Sequence, residues 1–151
     1  MTPELIILGH NIRSAYNVGS FFRTADSAGV SKLVLSGYTA CPPHRGIAKV
    51  ALGAEKWFPW EHIRIPGTWL KRMRQAGYHI AALEQTSKTK NIFDWQPQWP
   101  LVLMVGNEVR GISPALQRYA EVDLEIPMRG RKESLNVSTA MGVAVYSLLN
   151  R

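Results

Sequence analysis

The segment that most constrains the fold is Leu101-Val102-Leu103-Met104-Val105, five apolar residues in a row ending on Gly106. A strand with one wet face alternates polar and apolar residues. A continuous apolar run is covered on both faces, as central strands of parallel sheets are. Leu5–Gly9 and Tyr78–Glu84 read the same way, and Lys32–Ser36 and Val122–Ile126 complete five strand candidates. Helix candidates are Val18–Ala28, Ile47–Ala54, Gly67–Ala76, Pro114–Tyr119 and Val137–Asn150. In the last of these, Val137, Met141, Ala144, Val145 and Leu148 recur at helical spacing. Gly29 and Gly77 stand where helix C-terminal signals belong, and Ser113-Pro114 reads as a cap followed by a first-turn proline. This alternation predicts an α/β fold, a mostly parallel sheet with helices on both faces. Such sheets bind ligands beyond the carboxyl ends of their strands, which directs attention to the loops after Glu84, Val105 and Ile126.

The length of 151 residues fits one domain, 1–151. No run of 18 or more apolar residues is present, so no membrane span is expected. Met1-Thr2-Pro3-Glu4 leads into the first strand without the basic stretch and cleavage site of a signal peptide. A lone Cys41 cannot form an internal disulfide and fits a reducing cytoplasm, the expected location. Against 11 acidic residues stand 18 Lys and Arg, a net charge of +7, which points to a polyanionic partner such as nucleic acid. The basic residues fall in small groups, Lys71, Arg72 and Arg74 in one and Arg129, Arg131 and Lys132 in another, rather than in one disordered arm.

Several familiar chemistries are missing. Gly106 to Ser113 has the glycine spacing of a P-loop, but Ile112 stands where the phosphate-binding lysine is required. No GxGxxG follows the first strand, and no His/Cys set has zinc-ligand spacing, so no metal is expected. The histidines are scattered; His10 and His44 lie nearest to the candidate segments. Cys41, beside two prolines, has nothing local to activate its thiol. Trp57, Trp60, Trp95 and Trp99 can stack on bases, although packing is the commoner use of such residues.

Three segments stand out. In Asn17-Val18-Gly19-Ser20-Phe21-Phe22-Arg23-Thr24-Ala25, Asn17 can cap a helix and Gly19 permits close backbone approach; taken alone, the segment is equally an amphipathic helix with a solvated arginine. In Gly106-Asn107-Glu108-Val109-Arg110-Gly111-Ile112-Ser113, a glycine at a strand's carboxyl end suits ligand contact with backbone, while Glu108 can equally be a solvated turn residue. The third runs from Ile126-Pro127-Met128 through a basic loop to Ser134-Leu135-Asn136-Val137-Ser138, where Ser134 or Asn136 can cap the last helix or bond a polar ligand.

Together these segments resemble, in residues, order and separation, the motifs of the SpoU (TrmH-like) family of SPOUT RNA methyltransferases, over a span from Leu5 to about Leu149. The resemblance implies an α/β sheet with a C-terminal deep trefoil knot, an exception to the usual absence of knots. It implies S-adenosylmethionine (SAM) as cofactor, a homodimer with the active site near the subunit interface, and methyl transfer to a ribose 2′-hydroxyl of tRNA or rRNA. By position, Leu83, Gly106, Ile126 and Leu135 would contact SAM, with Met128 nearby. Arg23 matches the family's catalytic arginine, and Asn17, Glu108, Ser134 and Asn136 match its other polar motif residues. The chain reads as a single catalytic domain, without the N-terminal RNA-binding domain that many relatives carry. A guanidinium keeps its proton, so Arg23 is expected to grip an RNA phosphate near the target rather than act as a base itself. Glu108 is expected to orient Arg23 or Asn17, since carboxylate and phosphate repel. Two rival readings remain: an RNA-binding module of the same fold that does not turn over SAM, and an unrelated α/β nucleotide-binding protein.

Overall fold

The computed structural model describes residues 3–151. Seven strands, β1 (Leu5–His10), β2 (Lys32–Ser36), β3 (Trp60–Ile63), β4 (His79–Leu83), β5 (Lys90–Asn91), β6 (Leu101–Val105) and β7 (Val122–Glu125), form one sheet in the order β3-β2-β1-β6-β4-β7-β5. Every pairing is parallel. The run that dominates the sequence, β6, is central: Leu101 pairs with Leu5 on one side and His79 on the other.

Its continuous apolarity has a direct cause. Successive side chains of a strand point to opposite faces, and here both faces are covered. Leu101, Leu103 and Val105 enter one cluster with Phe21, Phe22, Met141, Ala144 and Leu148. Val102 and Met104 enter the other with Trp69, Leu70 and Leu116. Helices α1 (Ala15–Ala28), α2 (Arg45–Ala51) and α5 (Val137–Leu149) thus cover one face, and α3 (Pro66–Gln75) and α4 (Pro114–Gln117) the other. The predicted stripe of the last helix is the buried face of α5, including Met141, Ala144, Val145 and Leu148.

The element ends differ from the sequence reading in instructive places. Helix α1 starts at Ala15, three residues early, because Ser14 is its N-cap and accepts from the Asn17 N–H at 3.3 Å. Asn17 therefore lies inside the first turn and is not the cap. Gly29 closes α1 in the left-handed region at φ 85°, as expected. The second helix stops at Ala51; Leu52 and Gly53 take φ of 54° and 94°, and a separate 3-10 turn, Ala54–Lys56, follows. Strand β3 is missing from the sequence reading, and β5 falls in the loop expected after Glu84. Both are edge strands with partly exposed residues, so neither carries the apolar signature.

Candidate active site

The loops that leave β4, β6 and β7 meet at the carboxyl end of the sheet around an open cavity of about 220 Å3. All five positions expected to face a cofactor line it: Leu83 at the end of β4, Gly106 just past β6, and Ile126, Met128 and Leu135 on the loop after β7. Glu108 and Ser134 line it as well.

The β6 loop is built by its own backbone. Asn107 and Gly111 exchange N–H···O bonds of 3.1 and 2.9 Å, and the Asn107 side-chain oxygen accepts from the Val109 and Arg110 N–H groups, both at 2.9 Å. Gly106 is buried beneath this turn. A Cβ there would lie 2.5 Å from the Gly111 carbonyl carbon and 2.6 Å from the Ile112 nitrogen, so the turn closes only over glycine. Glu84, absent from the expected site set, pins the turn to β4: its carboxylate accepts from the Ile112 N–H at 2.7 Å and the Gln85 N–H at 3.2 Å. The only signal in the sequence was an acid at the carboxyl end of an apolar strand.

Glu108 is not a solvated turn residue. It accepts from the Arg13 N–H (2.8 Å), the Ser14 N–H (2.9 Å) and the Asn17 side-chain amide (2.8 Å). It thus joins the β6 loop to the start of α1, where N–H groups lack intrahelical partners and the helix dipole favours negative charge. The expected link between Glu108 and Asn17 is present. Partial burial pushes this carboxyl up, but the backbone donors of Arg13 and Ser14 and the Asn17 amide outweigh it and hold it below its usual value. A carboxylate depressed in the folded chain contributes its full stability above the unfolded-state pKa, and that contribution is lost as pH falls through the folded-state value. Glu108→Ala is expected to destabilise the fold by about 2 kcal/mol at neutral pH, the scale of a charged hydrogen-bonding group. The deficit should shrink below about pH 4. Urea unfolding of both chains across that range measures it, and an equal deficit at every pH would mean that the charge plays no part.

The remaining polar candidates divide. Asn136 is the N-cap of α5, its side-chain oxygen accepting from the Ser138 N–H (2.9 Å) and the Thr139 N–H (3.4 Å), and it sits between the lining residues Leu135 and Val137. Arg23 is the outlier. It is exposed on α1, outside the cavity lining, and makes no ion pair among the described residues. His10, at the end of β1, lies 2.8 Å from the buried Ser36 hydroxyl, and burial pushes its pKa down. His44 caps α2 by accepting from the Gly46 N–H at 3.0 Å. Burial raises the Cys41 thiol pKa, which suits an inert residue. Trp60, Trp95 and Trp99 pack against the core, whereas Trp57 is exposed and donates to Asp26 at 3.0 Å.

The chain is similar in sequence and fold to known proteins. Residues 4–146 match the SpoU rRNA Methylase family, and the chain belongs to that family. It is 33% identical to a tRNA (guanosine(18)-2'-O)-methyltransferase of Aquifex aeolicus, an alignment covering 95% of this chain and 67% of the relative. It is 26% identical to the 23S rRNA (guanosine-2'-O-)-methyltransferase RlmB of Pseudomonas putida, covering 99% and 60%. Among solved structures, the SpoU methyltransferase AviRb of Streptomyces viridochromogenes in complex with AdoMet superposes with a TM-score of 0.88 at 26% identity, covering 99% of this chain and 58% of that one. The chain therefore spans between 58% and 67% of the length of these relatives.

Proposed function

We propose that this chain is a SAM-dependent RNA methyltransferase that transfers a methyl group to a ribose 2′-hydroxyl of tRNA or rRNA. The observation that carries the reading is the cavity at the carboxyl ends of β4, β6 and β7, which gathers Leu83 from the end of β4, Gly106 from the loop after β6, and Ile126, Met128 and Leu135 from the loop after β7. The residues present fit the cofactor: apolar walls from Leu83, Leu124, Ile126 and Val137 suit a purine, and the turn built over Gly106 brings backbone close to the ligand. SAM, when bound, supplies a methyl group activated by its sulfonium.

The chain's own residues position the reactants, and in-line approach of ribose oxygen and methyl carbon accounts for much of such a rate. Ser134, exposed at the cavity edge, orders the target hydroxyl. Asn136 fixes the loop that carries Ser134 by capping α5. Glu108 and Asn17 fix the start of α1 against the β6 loop. Arg23 holds an RNA phosphate near the target with its bidentate guanidinium, and that phosphate helps to receive the hydroxyl proton.

Homodimerisation is part of the same proposal. Arg23 is exposed on α1 outside the lining of its own chain's cavity, and Tyr16, two turns earlier on the same helix, is exposed as well. A second copy over α1 would bring Arg23 to a complete site. The deep trefoil knot is proposed as well. Strand β7 returns beyond β4 after β6 has filled the sheet centre, α5 then goes back to α1, and Glu84 clasps the β6 loop from the β4 side. Among the described residues no helix is long and apolar enough to cross a membrane, and an RNA substrate suits the cytoplasm.

Calorimetry with SAM, followed by transfer of labelled methyl groups to total tRNA and rRNA with mapping of the modified nucleotide, tests the reading. Saturable binding and a 2′-O-methylated ribose are expected. Binding without transfer to any RNA would leave a non-catalytic RNA-binding relative, and no SAM binding would overturn the cofactor assignment.

A further inference from the structure

We propose that Tyr38 is a stacking platform for a base of the RNA beside the cofactor cavity, so that the chain selects a ribose in an unpaired segment. The inference deepens the RNA reading above and rests on it.

Tyr38 stands on the turn after β2 and is 63% exposed. An exposed tyrosine ordinarily moves between rotamers, but this one is held at both ends. Its N–H donates to the Asn11 side-chain oxygen at 3.0 Å, and its hydroxyl oxygen accepts from the Asn107 side-chain amide at 2.7 Å. Asn107 is fixed in turn. The same amide donates to the Asn11 carbonyl at 2.9 Å, and the Asn107 side-chain oxygen accepts from the Val109 and Arg110 N–H groups. The turn below the ring is tied as well: a ring nitrogen of His62 lies 3.2 Å from the Gly37 carbonyl oxygen. Gly37 itself takes φ 65°, and a Cβ there would meet the Asn11 side-chain oxygen at 1.9 Å. The ring is thus ordered in advance and yet largely open to solvent. A planar surface prepared in this way loses little conformational freedom when a ligand stacks on it.

Position and charge name the ligand. Asn107 lines the cavity around Gly106, so the Tyr38 hydroxyl is one hydrogen bond from the cavity wall. Among the exposed aromatic rings of the described residues, no other is bonded to a residue of that lining. The loops that pin the ring each carry an exposed arginine, Arg13 after β1 and Arg110 after β6, and neither forms an ion pair among the described residues. Glu108, the acid that joins these two loops, is already occupied by three donors. An aromatic face flanked by free guanidinium groups suits a base with its phosphates. A base inside a duplex has neighbours on both faces, so the base that meets Tyr38 comes from a loop or a single strand. Stacking of this kind tolerates any base, and the selection is for an unpaired nucleotide rather than for its identity.

Fluorescence anisotropy with end-labelled hexa-adenylate, and with a hexamer of the same backbone that lacks bases, tests it. The two probes carry the same phosphates. The wild-type chain should bind hexa-adenylate at least about fivefold more tightly, the smallest effect expected of one stacked base. Tyr38→Leu should erase that preference, whereas Tyr38→Phe should keep most of it. Both variants lose the bond to Asn107, so a difference between them reports the ring. With the 15N-labelled wild-type chain, hexa-adenylate should shift the amides of Gly37, Tyr38 and Thr39. Equal binding of the two probes, equal losses in the two variants, or shifts that spare Gly37–Thr39 would overturn the proposal. So would a drop in oligomeric size caused by Tyr38→Leu, which would make the ring a contact between copies of the chain. If RNA is methylated while Tyr38→Leu keeps the preference for bases, the platform falls and the enzyme reading stands. If no RNA is methylated yet hexa-adenylate stacks at Tyr38, the reverse holds.

Discussion

Replacing Arg23 with alanine is expected to reduce methyl transfer at least about 100-fold, the scale of losing one charge-stabilising contact in a transition state. SAM affinity and thermal stability should be unchanged. The separation follows from position: Arg23 is exposed, lies outside the cavity lining, and its side chain makes no hydrogen bond or ion pair among the described residues; its carbonyl accepts from the Ser27 hydroxyl, a bond that alanine keeps. A lysine at this position should restore little, because an ammonium is a point charge without the planar fork that grips two phosphate oxygens. Calorimetry with SAM, a melting curve and a single-turnover methyl-transfer assay on the same preparations distinguish the outcomes. A fall in melting temperature and SAM affinity together would make Arg23 a structural residue and sink the phosphate-gripping role.

Gly106→Ala is the complementary experiment, because it should abolish cofactor binding. The added methyl would lie 2.6 Å from both the Gly111 carbonyl oxygen and the Ile112 nitrogen. These are backbone atoms, held by the Asn107–Gly111 pairing and by Glu84, so they cannot swing aside as a flexible side chain would. Overpacking of this kind typically costs about 1–3 kcal/mol. Here it falls on the turn that forms one wall of the cavity. Expected results are a melting temperature lowered by several degrees and no measurable SAM binding under conditions where the chain is still folded. A folded variant that binds SAM normally would show that the turn can open, and would remove Gly106 from the site.

Most of the architecture was legible because burial on two faces leaves a strong imprint. Strands β2 and β6 have the limits read from the sequence, and β1, β4 and β7 differ by a residue at one end or at each. What escaped was local or relational. Trp60–Ile63 and Lys90–Asn91 are edge strands without a continuous apolar run. Asn17 resembled a cap, yet Ser14 upstream supplied the cap geometry, and Asn17 instead donates to a carboxylate from a distant loop. Much of the cavity lining was readable by position, from Leu83 and from the segments that begin at Gly106 and Ile126, whereas no residue of Asn17–Ala25 lines it. The clasp at Glu84, the donors at Arg13 and Ser14 and the bonds that pin Tyr38 depend on which loops meet in space, and no pattern in the chain announces them.

The central place of β6 also bears on how the chain reaches its fold. Leu5 cannot meet its partner Leu101, nor can His79 complete its pairing on that side, until the sixth strand inserts between β1 and β4. Such pairing between residues distant in sequence raises contact order, which slows folding because a long loop must close before its contacts form. Before insertion, both β1 and β4 present open apolar edges, the kind of surface on which chains associate wrongly. The feature that makes the sheet legible in the sequence is therefore also the step at which a nascent chain is most exposed to aggregation.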